Sequence, residues 1–250
     1  MLKFYRRIRQ KLIDEGNLKR YLIYAIGETL LVVLGILIAL QINNWNEDRK
    51  NKSEEQKALN ALNEELKSNK KQLANKIADC EEIIRSDSIL LISMSNPNHQ
   101  ISEEQLSLII DQLTIPYTYN PEDGVLRDII NSGKLSILQN QELRYILTSW
   151  ESKFSDIKEV EMDLLNSINT MINPFFFEYY SKRNVGMKSL FGESRFSFSP
   201  KQILENKFLE NIIVQNWQIN SHIKSRYIKL NKEILQTIEI IEEQIKNDTL

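Results

Sequence analysis

The chain has 250 residues, a net charge of -2 and one cysteine. A pI near 5.9 gives no general attraction to nucleic acid, and a single cysteine excludes an internal disulfide framework. Seven glycines and five prolines suit long helices rather than sheets and turns, and the length leaves room for one membrane segment and a domain of ~200 residues.

Residues 1–20 read as a basic cytoplasmic segment. Phe4, Ile8 and Leu12 recur every fourth position, with Tyr5 and Ile13 beside them and Arg6, Arg7, Arg9 and Lys11 over the remainder. The pattern predicts an amphipathic helix lying on an anionic inner leaflet. The alternative is a disordered basic tail that serves only topology. Gly16-Asn17 marks a break before the next element.

Residues 21–42, YLIYAIGETLLVVLGILIALQI, are apolar apart from Glu28 and contain no proline. As a helix this run reaches ~33 Å, enough for a hydrocarbon core of about 30 Å. It is longer than the core of a secretory signal, and Leu37, Ala39 and Leu40 offer no Ala-x-Ala cleavage pattern. An uncleaved single-pass anchor is therefore expected. Lys3, Arg6, Arg7, Arg9, Lys11, Lys19 and Arg20 precede it, against Arg49, Lys50, Lys52 and Lys57 after it. This excess predicts a cytoplasmic N-terminus and residues 43–250 on the outer, periplasmic side of a bacterial inner (plasma) membrane. Tyr21, Tyr24 and Trp45 fit the aromatic belts at the two interfaces.

Helical spacing places Gly27, Leu31, Gly35 and Ala39 along one face, with Glu28 on the same side. Gly35 and Ala39 allow another helix to approach closely. A charge at the centre of a membrane helix costs roughly 2.5–3.5 kcal/mol, so Glu28 needs a partner or a proton. One reading seats Glu28 in a contact with a second copy or another membrane protein. The other has it neutral, or reaching for the cytoplasmic headgroups.

The blocks Tyr24-Ala25-Ile26-Gly27-Glu28, Leu31-Val32-Val33 and Gly35-Ile36-Leu37-Ile38-Ala39-Leu40-Gln41-Ile42-Asn43-Asn44-Trp45-Asn46 resemble the signature of a family of uncharacterised bacterial single-pass membrane proteins. Ser132-Gly133-Lys134-Leu135 and Leu143-Arg144 resemble it more weakly. The resemblance implies a basic N-terminus, one membrane helix and a helical domain. It carries no catalytic residue.

From Ile42 to Met94 there is neither proline nor glycine, so the membrane helix is expected to run on outward. Leu59, Leu62, Leu66, Leu73, Ile77, Cys80, Ile84 and Leu91 form an apolar stripe. Glu54, Glu55, Lys57, Glu64, Glu65, Lys67, Lys70 and Lys71 are expected to cover the rest. Cys80 reads as a small buried side chain; an interchain disulfide is the alternative.

Residues 95–100 read as a turn. Ser102 and Gln105 form a capping box for a short helix that Pro116 follows. Asn120-Pro121 predicts a helix start, and Gly133 the C-terminal cap of that helix. From Asn140, the residues Leu143, Leu147, Trp150, Phe154, Ile157, Leu164, Ile168, Met171 and Phe175 keep helical spacing, with Glu161 out of register. Pro174 is expected to kink or end this helix. Phe175, Phe176, Phe177, Tyr179 and Tyr180 read as the end plug of a bundle core. Residues 181–198 read as a loop, with a hairpin considered from Ser194 to Ser199.

Ser199-Pro200-Lys201-Gln202 signals another helix start, and a last helix is expected from Asn206 to Lys246. Leu209, Ile213, Ile223, Tyr227, Leu230, Ile234, Ile238, Ile241 and Ile245 form its stripe, interrupted by Asn216 and Asn220 as register-setting seam residues. The whole predicts an all-α chain: an N-terminal amphipathic helix, one transmembrane helix, then an elongated antiparallel extracytoplasmic bundle with coiled-coil-like packing.

No chemistry is legible. His99 and His222 lack metal-type neighbours, and no nucleophile elbow, phosphate loop or dinucleotide fingerprint occurs. No cofactor, metal or catalytic residue is expected. The expected function is a protein-interaction, sensing or scaffold module whose partners are the lipid bilayer and either a second copy or another membrane protein. The alternatives are an accessory subunit of an ion-driven or transport complex using Glu28, and a membrane-tethered enzyme with a dispersed site.

Overall fold

The computed structural model of the chain describes residues 18–96, 101–184, 188–196 and 199–249. The expected N-terminal helix with Arg6, Arg7 and Arg9, the Tyr21 side chain and His99 lie outside the described residues. The described residues form helices and turns, with no strand among them. They belong to two compact units, Met1–Gln56 and Lys57–Leu250.

Helix α1, Leu18–Ser95, runs without interruption, as expected where neither proline nor an interior glycine after Gly35 breaks the pattern. In the first unit it carries the apolar stretch. In the second unit it supplies Leu59, Leu62, Leu66, Leu73 and Cys80 to the core, as the spacing predicted. Beyond Cys80 the buried apolar positions of this helix are Ile83 and Leu90, not Ile84 and Leu91, which are only half-buried. The buried positions 59, 62, 66, 69, 73, 80, 83, 87 and 90 keep one three-four repeat, and Ile84 and Leu91 lie one position beyond it. Glu55 and Glu65, expected on the surface, are also buried.

Helix α2, Glu103–Thr114, begins with the expected capping box: Ser102 Oγ accepts from the Gln105 N–H at 3.1 Å, and the Ser102 N–H donates to Gln105 Oε1 at 3.2 Å. Helix α3, Gly124–Asn131, starts later than Asn120-Pro121 suggested. The intervening N–H groups are taken by side chains of other helices, described below, which compete with a helical start at Pro121. Gly133 takes the left-handed conformation, φ 74°, as the predicted cap, and a 3-10 turn, Lys134–Ile137, follows.

Helix α4, Gln141–Ser167, is capped by Asn140, whose Oδ1 accepts from the Leu143 N–H at 3.0 Å. Pro174 neither ends this run nor stands alone. A π-helical turn, Ile168–Ile172, precedes helix α5, Asn173–Tyr179, and places Pro174 in its first turn, where its missing N–H matters least. Phe175, Phe176 and Tyr180 are buried, whereas Phe177 and Tyr179 face solvent, so only part of the aromatic run plugs the core. A 3-10 turn, Lys182–Asn184, and two short helices, α6 (Lys188–Phe191) and α7 (Pro200–Leu204), follow; the hairpin considered from Ser194 to Ser199 lies partly outside the described residues. Ser199 makes no side-chain cap; Asn206 does so instead, accepting from the Phe208 and Leu209 N–H groups ahead of helix α8, Lys207–Thr249.

Within the second unit α8 runs antiparallel to α1 and to α4. Lys67 pairs with Glu242, Glu81 with Lys224 and Asp87 with Asn216, so α8 numbers fall as α1 numbers rise. Lys153–Glu233 and Glu161–Tyr227 give the same sense against α4. Leu143, Leu147, Trp150, Ile157, Leu164, Leu209, Ile213, Ile223, Tyr227, Leu230 and Ile234 close one apolar core.

Candidate functional site

Two features stand apart from ordinary core packing. The first is the apolar length of α1 in the first unit. Leu22, Ile23, Leu30, Leu31, Leu34, Ile38, Leu40 and Ile42 are all exposed, and none of the most apolar stretch is buried by this chain. Its mean hydropathy reaches 2.4, and α1 is long and apolar enough to cross a membrane. Such a surface is unstable in water, which is why it points to lipid. Thr29 Oγ1 donates to the Ala25 carbonyl at 2.9 Å, so this hydroxyl is satisfied within the helix.

Of the predicted contact face, Leu31, Gly35 and Ala39 are exposed, while Gly27 and Glu28 are half-exposed. A Cβ at Gly27 or Gly35 would meet nothing within 4 Å among the described residues. Of the predicted anchors, Tyr24 and Trp45 are exposed, and the Arg49 guanidinium lies 5.7 Å from the centre of the Trp45 ring.

The second feature is a polar strap in the second unit. Five backbone N–H groups between residues 119 and 126 go to side chains of α1 and α4. The Tyr119 N–H donates to Glu161 Oε1 at 2.9 Å and the Asn120 N–H to Gln72 Oε1 at 3.1 Å. The Glu122 N–H donates to Asn69 Oδ1 at 2.8 Å, and Asn69 Nδ2 donates back to the Glu122 carbonyl at 2.6 Å. The Val125 and Leu126 N–H groups donate to the two oxygens of Glu65 at 2.7 and 3.1 Å. Glu65 thus caps α3 from another helix, doing what an N-cap side chain does locally. Burial raises its pKa; the two N–H groups oppose that, and Asp123 and Glu122 reinforce it. Glu65, Asn69 and Gln72 follow one another at four and three residues beside the Leu62–Leu66–Leu73 stripe. That spacing of polar residues on a core-facing edge was the signal for them in the sequence.

Glu161, out of register by apolar spacing, is a buried junction: the Tyr227 hydroxyl donates to the same oxygen that receives the Tyr119 N–H. Burial pushes the Tyr119 and Tyr227 hydroxyls well above their ordinary range. Their rings pack edge to face at 6.1 Å, and Phe154 joins Tyr119 to Trp150. Cys80 is buried, and burial pushes its thiol up to about 12. Further along α1, Asp87 is fully enclosed, with Asn216 Nδ2 at 3.0 and 3.2 Å from its two oxygens and Asn220 Nδ2 donating to Asn216. Burial raises Asp87 to about 8, opposed by the Asn216 hydrogen bond.

These groups are closed to substrate, since Tyr227, Cys80, Asp87 and Glu161 are each at most 4% exposed. Glu161, Tyr227 and Asp87 with Asn216 join α1, α4 and α8 by hydrogen bonds. Among the described residues no group of three or more His, Cys, Asp or Glu side chains could hold a metal ion. His222 is exposed and accepts from Arg226 on its own helix. Between α3 and α4 lies an open groove of about 780 Å³, floored by Leu126 and Phe154 and rimmed by Arg127, Glu151 and Lys158. Asp123 on that rim holds Arg127 at 2.8 Å.

No curated protein and no solved structure matches the chain. The stretch from Glu28, inside the apolar length of α1, to residue 185 matches a family of unknown function, DUF6090, and the chain belongs to that family.

Proposed function

We propose that the chain is a single-pass protein of a bacterial inner membrane, with its N-terminus cytoplasmic and residues 43–250 outside. It acts by protein contact, as an interaction, sensing or scaffold module, and not by catalysis. The observation that carries this reading is the exposed apolar surface from Leu22 to Ile42, which only lipid or another apolar surface can cover. The direction of insertion rests on the excess of Lys and Arg before the helix. Alkaline extraction of membranes should leave the chain in the pellet, and protease added to spheroplasts should remove its C-terminal part. A chain found in the supernatant, or a protected C-terminal part, refutes the reading.

The face of Gly27, Glu28, Leu31, Gly35 and Ala39 is where a second copy or another membrane protein would sit. The small residues Gly35 and Ala39, four apart on that face, favour this. Gly35→Ile should weaken association of the full chain in a bilayer, and unchanged association removes this face from the proposal. An accessory role in an ion or transport complex is the second reading, favoured by a carboxylate within an apolar helix. Glu28→Gln should then abolish function while assembly persists.

A further inference from the structure

We infer that the part of the second unit carrying residues 177–184, 188–196 and 199–208 docks on an anionic lipid surface. Six large apolar side chains stand exposed there: Phe177, Tyr179, Leu190, Phe191, Phe196 and Phe208. Four of them are at least 66% exposed, far more than a scatter of singly exposed apolar residues requires. They are interleaved with the exposed cations Lys182, Arg183, Arg195, Lys201 and Lys207. Over residues 177–208 the sequence holds six Lys and Arg against Glu178, Glu193 and Glu205, a net charge of +3 in a chain whose total is -2.

Side-chain contacts link several of these elements. Phe208 and Tyr179 both pack on Phe175, at 6.2 and 4.7 Å between ring centres. Lys182 lies 5.0 Å above Phe177 and donates to Asn173 Oδ1. Asn184 Oδ1 accepts from the Ser194 N–H at 2.9 Å, which ties the Lys182–Asn184 turn to Arg195 and Phe196. Arg195 lies 5.1 Å from the Phe196 ring centre. Ser107 Oγ donates to the Asn184 carbonyl, fixing this part to α2. Lys201 shares its charge with Glu205 at 3.6 Å, and Arg183 and Lys207 are further exposed cations.

Aromatic rings with a basic fringe fit a headgroup layer: the rings enter the acyl boundary while Lys and Arg meet phosphate. A protein partner would need shape complementarity, whereas a lipid surface accepts side chains from short helices and turns with no shared groove. Charge decides for lipid of negative sign.

The inference is independent of the membrane helix and is tested with that helix already satisfied. The full chain is placed in nanodiscs of phosphatidylcholine and mixed with vesicles containing phosphatidylglycerol, then floated. The nanodiscs should float with these vesicles and not with vesicles of phosphatidylcholine alone. Phe191→Ser with Phe196→Ser, and separately Lys182→Glu with Arg195→Glu, should each weaken flotation about tenfold or more. Tyr145→Ser, at an exposed ring on α4 outside the patch, should leave it unchanged. All are exposed positions, and unaltered helical circular dichroism checks the fold. Absent flotation, equal flotation with neutral vesicles, or binding that survives both double variants overturns the inference. So does clustering of nanodiscs without vesicles that the same variants abolish, since a second copy would then cover the patch. Failure of the chain to enter nanodiscs refutes the anchor alone; the soluble chain is then floated directly.

Discussion

Asp87 is the sharpest place to perturb this molecule. It has no exposure, and among the described residues no cation pairs with it and Asn216 meets its charge. Its carboxyl is raised to about 8 in the folded chain, against about 3.9 when unfolded. A raised folded pKa means that the native state holds the proton more tightly. The stabilisation is therefore fully present below the unfolded value and is lost as pH climbs through the folded one. Between about pH 4 and 8 the loss approaches 1.4 kcal/mol per pH unit, so the neutral-pH protein is weaker than the acid-pH protein by on the order of 4 kcal/mol from this group alone. Asp87→Asn keeps the shape and an oxygen for Asn216 but cannot ionise. It should raise stability at pH 8 and flatten the decline. Asp87→Ala should instead destabilise by about 1–3 kcal/mol, because the Asn216 amide then lies buried without its acceptor. Urea unfolding of the full chain in detergent, read at pH 5, 7 and 8, measures each. Parallel pH dependence in the parent and Asp87→Asn would refute the assignment.

Three further outcomes are expected. Glu65→Ala should cost roughly 2–4 kcal/mol by orphaning one buried and one partly buried N–H group, and should speed hydrogen exchange at Val125 and Leu126 while leaving α8 protected. Glu65→Gln should recover part of this, and unchanged exchange at those amides would show that the strap does not depend on Glu65. Tyr227→Phe should cost about 1–2 kcal/mol, because Glu161 keeps only the Tyr119 N–H; a neutral effect in thermal unfolding would remove this hydrogen bond from the account. Cys80 should resist a water-soluble maleimide at pH 8 until denaturant is added, since its thiol is enclosed and raised to about 12; rapid labelling, or a Cys80-dependent dimer on a non-reducing gel, would contradict that.

Local signals were read well where the chain acts on itself. Ser102 with Gln105, Asn140 and Gly133 behave as their sequence contexts predict, because capping and a left-handed glycine are decided within a few residues. The apolar stripes were legible because burial follows period. Failures came where a distant helix intervenes. Asn120-Pro121 looked like a helix start until Glu65, Asn69 and Gln72 took the N–H groups around it. Glu161 looked misplaced because its partners, the Tyr119 N–H and the Tyr227 hydroxyl, lie 42 and 66 residues away. Phe177 and Tyr179 looked like core because aromatic density alone does not tell a plug from an exposed patch.

The polar groups within the core invite one last question: whether they strengthen the fold or only define it. Asp87, Asn216 and Asn220 occupy positions that Leu would fill without a desolvation penalty, and buried polar pairs are often weaker than well-packed apolar replacements. What such groups supply is discrimination between registers, as a seam asparagine does in a coiled coil. α8 has isoleucines or leucines at 209, 212, 213, 219, 223, 230, 234, 238 and 241, so a slide by one turn keeps much of its apolar contact. It does not keep Asp87 opposite Asn216, Glu81 opposite Lys224 or Lys67 opposite Glu242. The double variant Asp87→Leu with Asn216→Leu should therefore unfold at higher urea than the parent. At the same time it should show several positions for α8: distances between labels on α1 and α8 should broaden from one population into more than one. A variant that is both more stable and uniquely registered would mean that the surface pairs and the Glu161 junction set register by themselves.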